Sequence, residues 1–277
     1  MSTEQGLAAH YGSEPFLARI DDALTGMGVD PNAPSLEQLK PVDEFHTGGL
    51  EATEAFLGPM NIPAGTEVLD IGCGIGGTAR YLANRFGAQV TGVDLTPDYV
   101  HAATELSRRL GLDDKLRFIE GSALDLPVAS TSFDLATMFH VGMNIAEKAK
   151  LFAEVANALR PGGRFAVFDI MRGDGDGEIS YPAPWSPDAA HSFVAPPDEY
   201  REAATSAGLE LLHERDRADF AREFFARVTK ATAENGPPPI GLHLLMGEEA
   251  PLRYGNVVAA ANAGVAAPWE MVFRKPS

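Results

Sequence analysis

A chain of 277 residues, 45% of them hydrophobic, can hold one large α/β domain or a domain with a sizeable insertion. Its 22 basic against 39 acidic residues leave a formal charge of −17, which makes nucleic acid and membrane surfaces poor partners and leaves a homodimer open. The start, Met1 to Gln5, lacks the basic and apolar regions of a leader, no apolar run nears the ~18 residues of a spanning helix, and Cys73 is the only cysteine, so no internal disulfide forms and a cytoplasmic location is expected.

Residues 1–60 read as an N-terminal helical cap. Helical spacing surrounds Phe16 to Leu24 and Leu50 to Leu57, and the Pro- and Gly-bearing stretch Gly28 to Pro34 divides them. From Thr66 strands and helices alternate. The strands are Thr66–Ile71, Ala88–Val93, Leu116–Glu120, Phe133–Met138 and Arg164–Phe168, and between them lie helices Thr78–Phe86, Pro97–Leu110 and Ala146–Leu159. Such alternation specifies a doubly wound, mostly parallel sheet covered by helices on both faces, with residues 61–215 as its core. Met171 to Pro197 then forms a long loop rich in Gly, Pro and Asp, read as part of a substrate wall. A helix over Pro197–Ala207 and a strand over Leu209–Arg215 follow. Residues 216–264 read as a helical lid broken at Gly236 to Pro239, and residues 265–277 supply the last strand, Trp269–Arg274.

The most informative stretch is Val68-Leu69-Asp70-Ile71-Gly72-Cys73-Gly74-Ile75-Gly76-Gly77, which joins an apolar strand to a helix through a turn that glycines make easily. Gly72, Gly74 and Gly77 satisfy the dinucleotide spacing G-x-G-x-x-G, and Asp94 closes the next strand where a ribose-binding acid is expected. Asp70 argues against a dinucleotide, because a carboxylate at the strand tip would face two phosphates. S-adenosylmethionine has no phosphate; its sulfonium and ammonium are attracted by that same carboxylate.

These residues resemble motif I of the class I S-adenosylmethionine-dependent methyltransferases, an acid followed by G-x-G-x-G. Val90–Asp94, Gly121–Pro127 (GSALDLP), Phe133–Phe139 (FDLATMF) and Arg160–Asp169 (RPGGRFAVFD) continue the resemblance in order. It implies a seven-stranded, Rossmann-like sheet whose last strand is antiparallel, and S-adenosylmethionine as cofactor. Asp70, Gly72, Gly74 and Gly76 are then expected at the methionine and nucleoside, Asp94 at the ribose, Leu95, Ser122 and Ala123 at the adenine, and His140 near the methionine. Many relatives carry an acid where Ser122 stands, so adenine recognition here leans on a weaker acceptor and backbone groups. His10-Tyr11-Gly12, Asp43 to Gly49 (DEFHTGG) and His140 to Ile145 (HVGMNI) resemble the bacterial sarcosine/dimethylglycine N-methyltransferase branch. That likeness implies Tyr11 as a tyrosine closing over the cofactor, the alternative being a tyrosine that packs one helix on another; His46 is either a cofactor contact or a loop histidine.

Methyl transfer from a sulfonium is an in-line displacement that needs alignment and water exclusion more than a catalytic triad. Trp185 and His191 are the substrate-side candidates. Both fall in the irregular loop, where an indole can face an ammonium and an imidazole can take an amine's proton. The alternatives are a core tryptophan and a surface histidine. No metal is expected: no His/Cys/Asp/Glu group has ligand spacing, and Asp174–Glu178 lacks the continuation of a calcium loop. The expected activity is methylation of a small amine of the glycine or sarcosine kind. Phe220, Phe224, Phe225, Leu242, Leu244 and Leu245 keep open a C- or O-methyltransferase of a quinone or terpenoid-type acceptor, and a regulatory protein that binds the cofactor without turnover is a second alternative.

Overall fold

The computed structural model describes residues 16–277. Before the sheet come three helices: α1 (Phe16–Gly26), α2 (Leu36–Asp43) and α3 (Gly49–Leu57). Helix α1 buries Phe16, Ile20 and Leu24, one residue per turn on a single face. Helix α2 was not anticipated from periodicity, yet its start is written locally. Ser35 accepts from the backbone of Gln38, and the Gln38 side chain accepts from the Ser35 backbone, a reciprocal capping box.

Seven strands then form one sheet: β1 (Glu67–Ile71), β2 (Gln89–Asp94), β3 (Leu116–Glu120), β4 (Phe133–Phe139), β5 (Leu159–Arg172), β6 (Glu210–Asp216) and β7 (Ala266–Arg274). Their spatial order is β3-β2-β1-β4-β5-β7-β6. The first five pair in parallel, whereas β7 runs antiparallel between β5 and β6. Helices α4 (Gly77–Phe86), α5 (Pro97–Arg109), α6 (Lys148–Ala158) and α7 (Pro197–Ser206) connect them. Two apolar clusters, one centred on Leu69, Met138 and Phe165 and the other on Val68, Leu135 and Phe168, reflect the alternation of side chains through strands buried on both faces. Strand order reverses between β1 and β4, and in open α/β sheets a crevice opens there, beyond the carboxyl ends of the strands.

Strand β5 is longer at both ends than its apolar run suggests. Asp169 looks like a strand end, but it continues in register with Trp269 on β7 and is fully buried. The Tyr200 hydroxyl and the Ile170 backbone donate to its carboxylate at 2.7 and 3.0 Å, which makes burial tolerable. Between β6 and β7 lie α8 (Ala218–Asn235), α9 (His243–Met246) and α10 (Ala250–Asn262). Ile240, with Leu244 and Leu245, packs on the cluster of Phe16, Ile20 and Leu24, so the segment between the last two strands reaches back to the first helix.

Candidate active site

A cavity of about 530 Å³ opens at the carboxyl ends of β1, β2 and β4, within the roughly 300–1,000 Å³ typical of small-molecule sites. Among its lining residues are His46, Asp70, Gly72, Gly74, Asp94, Leu95, Ser122, Ala123 and His140. Gly72, Gly74 and Gly76 all adopt positive φ. Gly72 is held against Val141, where a Cβ would overlap the side chain, while a Cβ on Gly74 would meet open space. Gly76 departs from expectation: it starts α4 beneath Phe118 and Arg80 and does not line the cavity.

The carboxylates at the strand tips have different partners. Asp94 accepts from the backbone of Gly74 at 2.8 Å and of Thr96 at 2.9 Å, which ties the glycine turn to the end of β2. Asp70 accepts from Thr137 Oγ1 at 2.7 Å through Oδ1, and its buried Oδ2 has no partner. Burial, with the charges of Glu44 and Asp94 adding to it, pushes the Asp70 carboxyl up to about 7 despite the Thr137 bond. Cys73 between them is buried, and burial followed by the Asp94 and Asp70 charges pushes its thiol well above the ordinary value, which suits packing rather than nucleophilic work.

The segment before α3 contributes a wall that sequence reasoning only partly foresaw. Glu44, buried, accepts at Oε2 from His46 Nε2 (2.9 Å), Thr53 Oγ1 (3.1 Å) and Thr78 Oγ1 (3.2 Å). Arg80 is fully buried and clamps Asp43 through Nε at 3.2 Å and Nη2 at 2.6 Å. A Cβ on Gly77 would overlap the Asp43 carbonyl, so this wall is seated directly on the start of α4. The signal available was the tract Asp43-Glu44-Phe45-His46, whose two acids have no apolar-face spacing and so no helical reason to be buried.

A second, smaller cavity of about 80 Å³ adjoins the first and shares Phe45, His46 and His140 with it. Its remaining wall includes Met143, Ile170, Trp185, Phe224, Phe225, Leu242, Met246 and Tyr254. His140 therefore stands at the junction, at φ 54°, with Nε2 buried and unpartnered. Burial, and then the neighbouring His46, holds its imidazole well below the ordinary value, so it is neutral near pH 7.

The candidates on the substrate side separate. Trp185 lines the second cavity but is only 2% exposed, and its indole Nε1 donates to Ser192 at 2.9 Å, so it acts first as a packed wall. His191 is not brought to either cavity. It sits on a surface turn, its Nδ1 at 2.8 Å from Asp188. Tyr11 lies outside the described residues. The Ser122 hydroxyl accepts from the Leu124 backbone at 3.0 Å while lining the first cavity. Among the described residues no group of three His, Cys, Asp or Glu is placed to hold a metal ion, and no helix is long and apolar enough to cross a membrane.

Residues 69–167 match the family model described as a methyltransferase domain, and the matched segment runs from the middle of β1 into β5. Over these residues the chain is similar to a methyltransferase domain. Around the domain the likeness is broader but more distant. The chain is 32% identical over 54% of its length to methyltransferase GfsG of Streptomyces halstedii, covering 51% of that protein. It is 26% identical over 85% of its length to a glycine/sarcosine/dimethylglycine N-methyltransferase of Actinopolyspora halophila, covering 41% of that protein. The chain thus spans about half the length, or less, of these curated relatives. A crystal structure of geranyl diphosphate C-methyltransferase from Streptomyces coelicolor superposes with a TM-score of 0.74 over 99% of this chain and 98% of that one, at 17% identity, which shows the shared fold. Methyltransferases of this class use S-adenosylmethionine as the methyl donor.

Proposed function

We propose that the protein is an S-adenosylmethionine-dependent methyltransferase acting on a small molecule, with the donor in the larger cavity and the acceptor in the smaller. The observation that carries this reading is the charge of the larger cavity. Glu44, Asp70 and Asp94 line it, and its only Lys or Arg among the described residues is the exposed Lys150. Such a cavity repels the two phosphates of a dinucleotide and attracts a sulfonium and an ammonium.

In this arrangement Asp94 receives the ribose hydroxyls, and the unpartnered carboxyl oxygen of Asp70 compensates the donor's positive charge. Phe45, His46 and His140, where the cavities meet, would flank the methyl group that the bound donor supplies. The acceptor's lone pair forms the new bond to carbon, the S–CH₃ bond breaks, and its electron pair returns to sulfur. The acceptor's proton, where it has one to lose, leaves to a base or to water. The helices between β6 and β7, with the N-terminal segment, form the lid that excludes water during this step.

Titration calorimetry with S-adenosylmethionine and, separately, NAD tests the assignment. The expected result is saturable binding of the first and none of the second; NAD binding without an S-adenosylmethionine signal overturns it. An acceptor of the glycine or sarcosine kind draws support from the likeness to the Actinopolyspora relative. The quinone or terpenoid-type alternative draws support from the apolar wall of the smaller cavity.

A further inference from the structure

Taking that reading of the site as its basis, we infer that the acceptor is a neutral molecule of mainly hydrocarbon surface, and that the second cavity excludes acceptors bearing a carboxylate or phosphate. A buried anion needs a cation or several hydrogen-bond donors to replace its water. The described wall of this cavity holds two histidines, Thr47 and the Tyr254 hydroxyl, and is otherwise aromatic or aliphatic.

The loops and helices that supply the aromatic part of this wall place their cations on other partners. The loop over residues 173–196 and the stretch over residues 236–249 contain no Lys or Arg. On α8, Arg222 pairs with Asp219, Arg227 with Glu51 and Lys230 with Glu234, while Arg217 just before it pairs with buried Glu270. Arg227 does lie over the Phe224 ring, 5.9 Å from its centroid, but its guanidinium is half exposed and bound to Glu51. On α10 the one cation, Arg253, donates to the Ala183 carbonyl at 2.7 Å and to Glu249 at 2.7 Å.

Beyond the junction, the larger cavity offers an anionic acceptor the carboxylates of Glu44, Asp70 and Asp94. A carboxylate would thus lose its hydration on one side and meet like charge on the other. A flat or branched hydrocarbon instead meets Trp185, Phe224, Phe225 and Leu242 and gains from its own desolvation.

The test uses p-cresol and 4-hydroxybenzoate, which differ by a methyl group against a carboxylate. Binding to the full-length protein is measured by ligand-observed NMR, with and without S-adenosylhomocysteine. The neutral member is expected to bind at least about tenfold more tightly than the anionic one. Leu242→Arg, which adds a cation to the wall, is expected to erase or reverse that preference while leaving S-adenosylmethionine affinity unchanged. Equal or tighter binding of 4-hydroxybenzoate by the natural sequence, no binding of p-cresol, an unaltered preference in the variant, or turnover of glycine or sarcosine would each overturn the inference. Because the pair is also read without the adenosyl ligand, the inference stands or falls separately from the cofactor assignment.

Discussion

The two cavities lie side by side and share three residues, yet they are built on opposite principles. The larger is made at strand tips, where main-chain turns and carboxylates are held by short-range bonds: Asp94 to the Gly74 and Thr96 backbone, Asp70 to Thr137. The smaller is made by packing, with Trp185 from a loop, Phe224 and Phe225 from α8, Leu242 and Met246 around α9, and Tyr254 from α10. Polar geometry recognises one ligand by directed bonds, whereas apolar packing admits any molecule of the right volume and charge. Perturbations of the first cavity should therefore abolish cofactor binding, and those of the second should retune the choice of acceptor.

The largest effect is expected from Gly74→Val. The residue adopts φ 53° with open space where a Cβ would stand, so valine strains the turn and fills the room for the nucleoside. Calorimetry should show no S-adenosylmethionine binding while p-cresol binding persists; loss of both would break the separation of the cavities. Next comes Arg80→Ala, which leaves Asp43 buried without its partner and frees the wall carrying Glu44 and His46. A loss of about 3–5 kcal/mol in denaturant unfolding is expected, and a change under 1 kcal/mol, roughly the worth of a surface pair, would mean that the clamp is incidental.

A smaller effect follows from Asp70. Its carboxyl, at about 7 when folded, lies above the ordinary carboxylate value, so the unfolded chain sheds this proton first. Between about pH 4 and 7 the group progressively lowers stability, and the penalty is fully present above 7. Asp169, also raised to about 7 by burial, adds to stability loss with the same sign. Cofactor binding separates the two, because a cationic donor favours ionised Asp70. Affinity for S-adenosylmethionine should rise by up to about tenfold per pH unit below 7 and then level off. Asp70→Asn should bind more weakly and flatten that rise, and an unchanged slope in the variant would remove Asp70 from cation binding. The smallest effect belongs to His191→Ala. On its surface turn beside Asp188 it should alter turnover by less than about twofold, and a larger loss would return it to the acceptor site.

Legibility from sequence follows the range of the interactions. The apolar runs of β1, β2 and β4, the glycines after Asp70 and the acid closing β2 are local, and chain order alone places them in a parallel sheet with a cofactor crevice at the strand tips. Helix α2 was local too, announced by Ser35 and Gln38, but too short and interrupted at Pro41 to show a periodic face. The extent of β5 was not local. Asp169 continues a buried strand with help from Tyr200, 31 residues away, whose hydroxyl donates to it.

What the sequence by itself determined, then, is the sheet and the electrostatic sign of its cofactor crevice, since both follow from residues adjacent in the chain. Tertiary structure alone decided which segments wall the second cavity. It placed Trp185 in a packed wall and His191 on the surface, although they stand six positions apart in the same loop. It also buried Glu44 against Thr53 and Thr78, and brought α8, α9 and α10 over the junction. Apolar side chains carry no directional preference, so their spacing shows that a face will be buried, and only the assembled fold settles what it is buried against.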